Sequence, residues 1–263
     1  MIFLQHEKGW DNMLTKTRQK EILKLLENRG SVTLQELKDH LNTSESTIRP
    51  DLNTLDAQGK LVKVFGGAVA ADNMSIRDEQ VSRREEKNLE EKRLIARYAA
   101  SLIQDDDFVY LDAGTTTGCM LDYISDTTTA VFVTNAPSHA QKLARKGMEV
   151  ILIGGRLKQS TEAVVGEEAC RQIEKFNFSL GFLGSNGVSE RSGFSTPDQD
   201  EAMVKKRAIE RIHRCFVLCD HTKFYKVSPI SFAKLEDAVV LTDSAPQGNF
   251  QEMPNIVEIS EDE

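Results

Sequence analysis

The sequence predicts an α/β protein in two unequal parts, a small helical domain with a hairpin followed by a larger domain built on a parallel sheet. Helical periodicity and a Gly-Gly turn fill the first 70 residues, whereas short apolar runs alternating with helical patterns fill the remainder. The charge changes at the same point. Residues 1–70 carry 10 Lys and Arg against 9 Asp and Glu, a balance of +1, although the 263-residue chain has a net charge of -8. The first part therefore lacks the net negative charge of the second.

The composition excludes several classes of protein. Hydrophobic residues make up 40% and charged residues 28%, which predicts a soluble globular protein rather than a disordered one. No apolar run approaches the roughly 20 residues of a membrane span, and the stretch MIFLQHEKGWDN is too short and charged for a secretory signal. We therefore expect a cytoplasmic protein. The four cysteines lack metal-ligand spacing, so we expect buried thiols and neither a metal nor a cofactor: Cys119, Cys170, Cys215 and Cys219.

Three helices are predicted in the first part. Apolar residues recur at helical spacing from Thr15 to Arg29, and Gly30 follows as a stop signal. A second helix begins after Thr33, which stands in a capping-box relation to Glu36. A third begins after Ser44 as its cap and ends at Gly59. With the β-favouring residues around the Gly-Gly turn at 60–69, this order matches a winged helix-turn-helix, although any small helical domain with a hairpin would show the same spacing.

The face of the third helix opposite its apolar stripe favours DNA binding. It carries short hydrogen-bonding groups and one Arg near its beginning, whereas a merely solvated face would usually carry Glu and Lys. The wing adds two lysines. The candidate DNA-binding residues are Ser44, Ser46, Thr47, Arg49, Asn53, Lys60 and Lys63.

Six short β-branched runs in the second part predict parallel strands covered on both faces. They are FVYLDAG, AVFVTNA, EVILIGG, LGFLGSNG, CFVLCDH and AVVLTDS, and each ends in small or polar residues. Ligands of such sheets bind beyond the carboxyl ends of the strands. After the first run, Asp112 and Gly114–Thr117 lead into a helix and have the composition of a phosphate cradle, or of an ordinary polar turn. Other strand ends supply groups suited to sugar hydroxyls: Asn135, Gly155, Asn186 and Gly187.

Two acid and lysine pairs lie near these strand ends. Glu201 and Lys205 are one helical turn apart, and Asp220 and Lys223 bracket a turn. Each pair is either a local ion pair, contributing about 0.3–0.5 kcal/mol, or part of a phosphosugar site.

Three segments together resemble the DeoR family of bacterial sugar-metabolism repressors: TSESTIRPDLNTLDAQGKLVKVFGGAV, EEKRLIARYAASLI and YLDAGTTTG. The resemblance extends from Met13 onward, with Met13 similar to the usual family start, so translation begins either there or at Met1. It implies a C-terminal domain similar to ribose-5-phosphate isomerase that binds a phosphorylated sugar and lacks a catalytic base at Gly184–Gly187. The stretches GFSTPDQDEAMVKKRAI and KVSPISFAKLEDAVVLTD resemble the fructose branch, which points to fructose 1-phosphate.

The resemblance also implies residue roles. A lysine matching Lys92 is implicated in ligand sensing within the family, and the other matching effector positions are Asp112, Gly114, Thr115, Thr116, Thr117, Asn186, Gly187, Glu201, Lys205, Asp220 and Lys223. The family has two consecutive basic residues where this chain has Arg49 and Pro50, so we expect Pro50 to weaken operator binding. The implied domains are an extension (1–14), a winged helix-turn-helix (15–71), a charged linker and helix (72–93) and an effector-binding and oligomerisation domain (94–263).

The sequence therefore predicts a non-enzymatic DNA-binding regulator with double-stranded operator DNA and a phosphosugar as partners, active as a homodimer or homotetramer without membrane contact. A sugar-phosphate isomerase with an added helical domain is the rival, with Asp112, Glu201, Asp220 and Lys223 as candidate acids and bases. A third reading is a helical module that binds a partner protein. Steep salt dependence would separate DNA from protein as its partner.

Overall fold

The computed structural model describes residues 15–26, 31–64, 67–70, 80–246 and 248–260. The chain forms two compact units, Met1–Met74 and Ser75–Glu263. No helix in the described ranges has the length and apolar character needed to cross a membrane. The predicted start at Met13 and the stop at Gly30 lie outside the described residues.

The N-terminal unit contains three helices and a three-stranded antiparallel sheet. Its elements are α1 (15–26), β1 (Ser31–Thr33), α2 (Leu34–Leu41), α3 (Glu45–Ala57), β2 (Leu61–Val64) and β3 (Gly67–Ala70). The predicted helices and hairpin are confirmed. The strand β1, which pairs with β3, was not predicted because three residues carry too little periodicity.

Local signals explain where these helices begin and how they pack. The capping box is present: Thr33 Oγ1 accepts a hydrogen bond from the Glu36 amide at 3.1 Å, and Glu36 Oε2 accepts one from the Thr33 amide at 2.7 Å. The apolar stripes of the three helices meet in one core, in which Ile22, Leu37 and Ile48 are fully buried. Burying each such side chain contributes about 1.5–3 kcal/mol.

The C-terminal unit is built on a seven-stranded parallel sheet in the order β15-β14-β12-β9-β4-β5-β6. These strands are β4 (Phe108–Leu111), β5 (Val131–Thr134), β6 (Val150–Leu152), β9 (Phe178–Gly184), β12 (Ile212–Leu218), β14 (Val239–Thr242) and β15 (Ile256–Glu258). The six predicted strands are confirmed. The short edge strand β15 and two small antiparallel sheets were not predicted.

The helices and small sheets cover both faces. The helices are α4 (Val81–Glu86), α5 (Leu89–Ser101), α6 (Thr115–Met120), α7 (Pro137–Arg145), α8 (Glu167–Ile173), α9 (Gln199–Ile209) and α10 (Asn249–Glu252). The small sheets contain β7 (Arg156–Leu157), β8 (Val164–Val165), β10 (Gly187–Ser189), β11 (Gly193–Thr196) and β13 (Ile230–Ala233). Single-turn 3-10 helices span His221–Lys223 and Leu235–Asp237.

Alternation along each strand divides the core into two clusters. In β4, Val109 and Leu111 pack with α5 and α6, whereas Tyr110 packs in the cluster that includes α8 and α9. Within the predicted charged linker and helix of residues 72–93, Lys92 on α5 is buried. The other charged residues of the run are mostly exposed, including Arg83, Glu85, Glu86, Lys87, Glu90 and Arg93.

Candidate functional site

The predicted recognition helix α3 presents a polar surface. Ser46, Arg49 and Asn53 are exposed, and Thr47 is half-buried. Arg49 Nε donates to Glu45 Oε1 at 2.8 Å, one turn earlier, and both side chains are about half exposed. This exposed pair is weak, so phosphate could replace Glu45 as the partner of the guanidinium.

The residues around α3 tie its two ends to neighbouring groups. Ser44 occupies the N-cap position, but its hydroxyl contacts Ser46 Oγ at 2.8 Å and Thr47 Oγ1 at 2.9 Å instead of a backbone amide. Ser44 is thus the N-cap residue, as predicted, without a hydrogen bond from its side chain to a backbone amide. From the wing, Lys63 Nζ donates to Asn53 Oδ1 at 2.6 Å. Lys60 is exposed in the turn before β2.

Pro50 lies inside α3 without ending it. The helix continues to Ala57 although proline cannot donate to the carbonyl of Ser46. Thr54 Oγ1 donates to the Pro50 carbonyl at 2.8 Å, and Pro50 is exposed. The helix therefore tolerates the proline, and its expected effect on DNA affinity stays a prediction.

One buried carboxylate fixes α3 against α1. Asp51 is 2% exposed and pairs with Arg18, while Gln19 Nε2 donates to its Oδ1 at 3.0 Å. The ion pair neutralises both charges, so Arg18 holds α1 against α3.

A cleft lies at the carboxyl ends of β4, β5 and β9, where the sequence predicted the ligand. It encloses about 350 Å³, part of it open to solvent. We call it the Asp112 cleft. Its lining residues are Arg84, Asp112, Ala113, Gly114, Asn135, Ala163, Gly184, Asn186, Glu201 and Lys205. The fold thus brings six of the predicted effector residues together: Asp112, Gly114, Asn135, Asn186, Glu201 and Lys205.

A buried ion pair forms the floor of this cleft. Lys205 Nζ pairs with Asp112 and also donates to the Gly184 carbonyl at 3.0 Å. Asp112 Oδ2 accepts from the Gly184 amide at 3.1 Å. Lys205 is 7% exposed and Asp112 is 2% exposed. The local pairing of Lys205 with Glu201 considered from the sequence is therefore wrong, because Lys205 reaches across to β4.

Glu201 has a different set of partners. Its Oε1 accepts from Thr161 Oγ1 at 2.5 Å and pairs with Lys158 Nζ at 3.2 Å, and Thr196 Oγ1 donates to Oε2 at 3.3 Å. This carboxylate is satisfied by three donors. A carboxylate with three hydrogen-bond donors is typical of a group oriented for binding rather than of a general base that accepts a proton from substrate.

The predicted phosphate cradle is partly used by the fold itself. Thr117 is fully buried, and its hydroxyl lies 2.7 Å from the Asp112 and Gly114 carbonyls and 2.9 Å from the Gly114 amide. Thr116 is also buried, whereas Thr115 is half-exposed. Thr117 therefore shapes the turn, and Thr115 is the better placed of the three to meet a ligand.

The other predicted strand-end residues divide into lining and structural groups. Asn135 orders the cleft, because its Oδ1 accepts from the Ala113 amide at 3.0 Å and its Nδ2 donates to the Val164 carbonyl at 3.1 Å. Gly155 and Gly187 do not line the cleft. A Cβ on Gly187 would lie 2.4 Å from the Lys226 carbonyl oxygen, so that glycine permits a close backbone approach. Gly155 adopts a φ of 149° beside β8.

Arg84, on α4, is the cleft residue that the sequence analysis missed. It falls in the predicted charged linker and helix of residues 72–93, and its half-buried side chain lines the cleft. The guanidinium makes no hydrogen bond or ion pair with any described residue, whereas Lys205 and Asp112 neutralise each other. Arg84 is thus the uncompensated cation of the cleft. Its position eight residues before Lys92 offered no signal without the fold.

Lys92, Asp220 and Lys223 lie outside the cleft lining: Lys92 contacts α4, and Asp220 contacts the residue that begins α5. Lys92 Nζ donates to the Arg84 carbonyl at the end of α4, and burial lowers the pKa of this ammonium. Asn88 Nδ2 donates to Asp220 Oδ1 at 3.1 Å. Burial alone would raise the pKa of Asp220, but the charge of Lys223 and hydrogen bonds from Thr222 and Asn88 hold it below its usual value.

A second and larger cavity of about 850 Å³ adjoins the cleft and shares Ala113 and Gly114 with it. It lies among α4, α6 and α7, and we call it the His139 cavity. His139 is 8% exposed, and its Nδ1 is buried without a hydrogen-bond partner in the described part of the chain. Burial lowers its pKa to about 4.

Cys119 also lines this cavity and is half-buried, so the expectation that all four cysteines are buried was wrong.

Two family models match the chain. The DeoR-like helix-turn-helix domain matches residues 18–74, and the DeoR C terminal sensor domain matches residues 87–244. The chain belongs to the DeoR family. It is 40% identical to the uncharacterised HTH-type transcriptional regulator FruR of Bacillus subtilis over 91% of this chain and 96% of that protein. It is 32% identical to the lactose phosphotransferase system repressor of Staphylococcus aureus, with the same two coverages.

The family is one of transcriptional regulators, so this DeoR-family chain is a helix-turn-helix regulator with a sensor domain and not an enzyme. HTH-type regulator GlpR of Haloferax volcanii is 34% identical over 91% of this chain and 94% of that protein. Among solved structures, ribose 5-phosphate isomerase A of Methanocaldococcus jannaschii is 14% identical with a TM-score of 0.40, covering 53% of this chain and 56% of that one.

Proposed function

We propose that the chain represses a carbohydrate-utilisation operon and that a phosphorylated sugar, with fructose 1-phosphate as the leading candidate, modulates its operator binding. The N-terminal unit contacts double-stranded DNA with the exposed face of α3. Ser46, Thr47 and Asn53 offer base-edge hydrogen bonds, and Arg49 offers a charge to phosphate or guanine. Ser44, Lys60 and Lys63 contact the DNA backbone. The protein acts in the cytoplasm, where its operator is.

The observation that carries the effector assignment is the uncompensated guanidinium of Arg84 in the Asp112 cleft. A guanidinium matches a phosphate group in charge and in hydrogen-bond geometry. The other charged lining residues are paired, since Lys205 pairs with Asp112, and Glu201 pairs with Lys158 from outside the lining. A dianionic phosphate on an otherwise neutral sugar fits one positive group among hydroxyl-binding amides and carboxylates.

Arg84 also explains how binding could reach the operator. It lies on α4, and α4 is held by Lys92 at its carboxyl end and by the hydrogen bond from the Val81 amide to the Ser160 carbonyl at 3.2 Å. A ligand on Arg84 therefore acts on an element that also depends on Lys92. The effector alters operator affinity by its differential affinity for the two states, with an ordinary coupling of about 1–3 kcal/mol.

Fluorescence anisotropy of labelled DNA from the protein's own upstream region, at two salt concentrations with and without fructose 1-phosphate, tests both halves of the proposal. We expect tight, salt-sensitive binding that the sugar phosphate weakens about 5- to 150-fold. Arg49→Ala should weaken binding and reduce the salt slope by about one unit. Binding that does not depend on salt would contradict the DNA assignment.

Two arginines on α4 supply a matched pair for the effector test. Arg84→Gln should abolish the response to sugar phosphate while leaving operator binding unchanged. Arg83→Gln is the control, because Arg83 is exposed and does not line the cleft. Equal loss of response in both variants would show that general charge, and not the cleft, determines the effect.

A substitution of Lys92 distinguishes a residue that contacts the effector from one that positions α4. Lys92→Met should leave effector affinity within about threefold by calorimetry and yet reduce the effect of effector on the operator, because Lys92 holds α4 and does not line the cleft. A large loss of effector affinity would instead mean that Lys92 contacts the effector directly.

We also propose a homodimer or homotetramer built by the sensor domain, and light scattering tests this by measuring the mass of the assembly.

A further inference from the structure

The His139 cavity has no role in the phosphate assignment above, although it lies next to the Asp112 cleft. The two spaces share Ala113 and Gly114, so one ligand could occupy both. The cavity is the larger of the two, about 850 Å³ against about 350 Å³. A ligand whose phosphate lies at Arg84 would therefore have room to extend its other end between α6 and α7.

The charge of the cavity contrasts with that of the cleft. Its lining includes three carboxylates, Glu85, Asp122 and Glu162, but a single cation, Lys142. Lys142 Nζ pairs with Asp122 Oδ1 at 2.7 Å, which leaves two carboxylates without a cation in the lining. Glu85 and Glu162 are exposed, so their charges disfavour a second phosphate group only partly against solvent screening, whereas they accept hydrogen bonds from neutral hydroxyls.

His139 gives the cavity a specific polar feature. Its imidazole is more than nine-tenths buried, and no described residue hydrogen-bonds to Nδ1. The Nε2 edge faces the backbone of α6, since a Cβ on Gly118 would lie 3.0 Å from it. A buried polar group without a partner is unfavourable, and a ligand hydroxyl that reached the ring would remove that penalty.

We propose that the His139 cavity binds the hydroxyl-bearing end of the effector, that His139 recognises a hydroxyl there, and that the excess of carboxylates selects sugar monophosphates over bisphosphates. This inference rests on the proposed function, because it takes the phosphate to lie at Arg84. It narrows the effector class to sugars with one phosphate. It also assigns discrimination among sugars to the α6 and α7 side of the site.

Isothermal titration calorimetry on the full chain tests the assignment with three kinds of probe: inorganic phosphate, hexose monophosphates including fructose 1-phosphate, and fructose 1,6-bisphosphate. We expect at least one monophosphate to bind tenfold or more tightly than both inorganic phosphate and the bisphosphate. His139→Leu should weaken that monophosphate at least fivefold and change inorganic phosphate less than twofold. His139→Asn, which keeps a polar nitrogen near the Nδ1 position, should restore most of the difference.

The two unpaired carboxylates of the cavity lining can be tested by substitution. Changing both Glu85→Gln and Glu162→Gln should raise bisphosphate affinity at least threefold relative to monophosphate, and Glu86→Gln, on α4 outside the lining, should not. The inference is overturned by equal or tighter binding of the bisphosphate to the unaltered chain, by equal loss of phosphate and monophosphate in His139→Leu, or by no monophosphate exceeding phosphate. By contrast, operator binding that none of the probes changes would refute the effector part of the proposed function itself.

Discussion

Acidification should destabilise the C-terminal unit, called the sensor unit below, because His139 is buried there. The size of the effect follows from the lowered pKa of this side chain. The pKa of the buried ring is lowered to about 4 from an ordinary value of 6.5. Between these values the unfolded chain binds a proton that the folded chain does not, so stability is fully present above pH 6.5 and is lost as the pH falls. Below pH 4 both states are protonated and the loss is complete.

The linkage gives about 2 kcal/mol of lost stability at about pH 5, rising to about 3 kcal/mol as both states become protonated. A loss of this size is a large part of the 5–15 kcal/mol typical of a folded domain. Because other groups also titrate, the informative quantity is the difference between the unaltered chain and His139→Leu at each pH. That difference should favour the variant by about 2 kcal/mol more at about pH 5 than at about pH 7.5.

Urea unfolding followed by far-UV circular dichroism measures this difference. The single tryptophan is Trp10, outside the described residues and in the other unit, so its fluorescence would not report on the sensor unit. Parallel stability profiles for the two chains from about pH 7.5 to about pH 5 would refute the reasoning, because they would mean that His139 titrates alike in folded and unfolded states.

Three further predictions follow from the contacts described above. Asp112→Asn should lower the free energy of unfolding by about 3–5 kcal/mol, because it leaves the buried ammonium of Lys205 uncompensated, and adding Lys205→Met should recover part of that loss in the same urea measurement. Gly187→Ala should reduce thermal stability by about 1–3 kcal/mol, since its Cβ would meet the Lys226 carbonyl oxygen; unchanged melting would show that the backbone yields. Pro50→Arg should strengthen operator binding and steepen its salt slope by about one unit in the anisotropy assay, and an unchanged or weaker affinity would count against it.

The main elements of the fold were predictable from the sequence because each has a local signal. Helical stripes and the Thr33 capping box located the N-terminal helices, and six β-branched runs located the strands. The strands β1, β7 and β15, of two or three residues each, were missed because they lie in no longer β-branched run and so short a stretch shows neither period.

The candidate site was only partly predictable, for a physical reason. The strand ends identified Asp112 and Asn135, because the carboxyl edge of a parallel sheet collects ligands wherever the chain supplies polar groups. The partner of Lys205 lies 93 residues away, and no local pattern distinguishes it from Glu201 four residues away. Arg84 lines the cleft although it was not a candidate, and Lys92, which was one, lies outside the lining and donates to the Arg84 carbonyl.

The way α4 is attached has an energetic consequence for signalling. None of its six residues is buried, so the helix adds nothing to the apolar core and is held by a few polar contacts at its ends. Hydrogen bonds of this kind contribute about 0.5–1.5 kcal/mol each, or about 1.5–3 kcal/mol where a charge is involved. Displacing α4 therefore requires an amount of free energy similar to what one small ligand can deliver differentially. Under the proposed function, displacing an element buried in the core would require more free energy than a sugar can supply, whereas α4 has no buried residue.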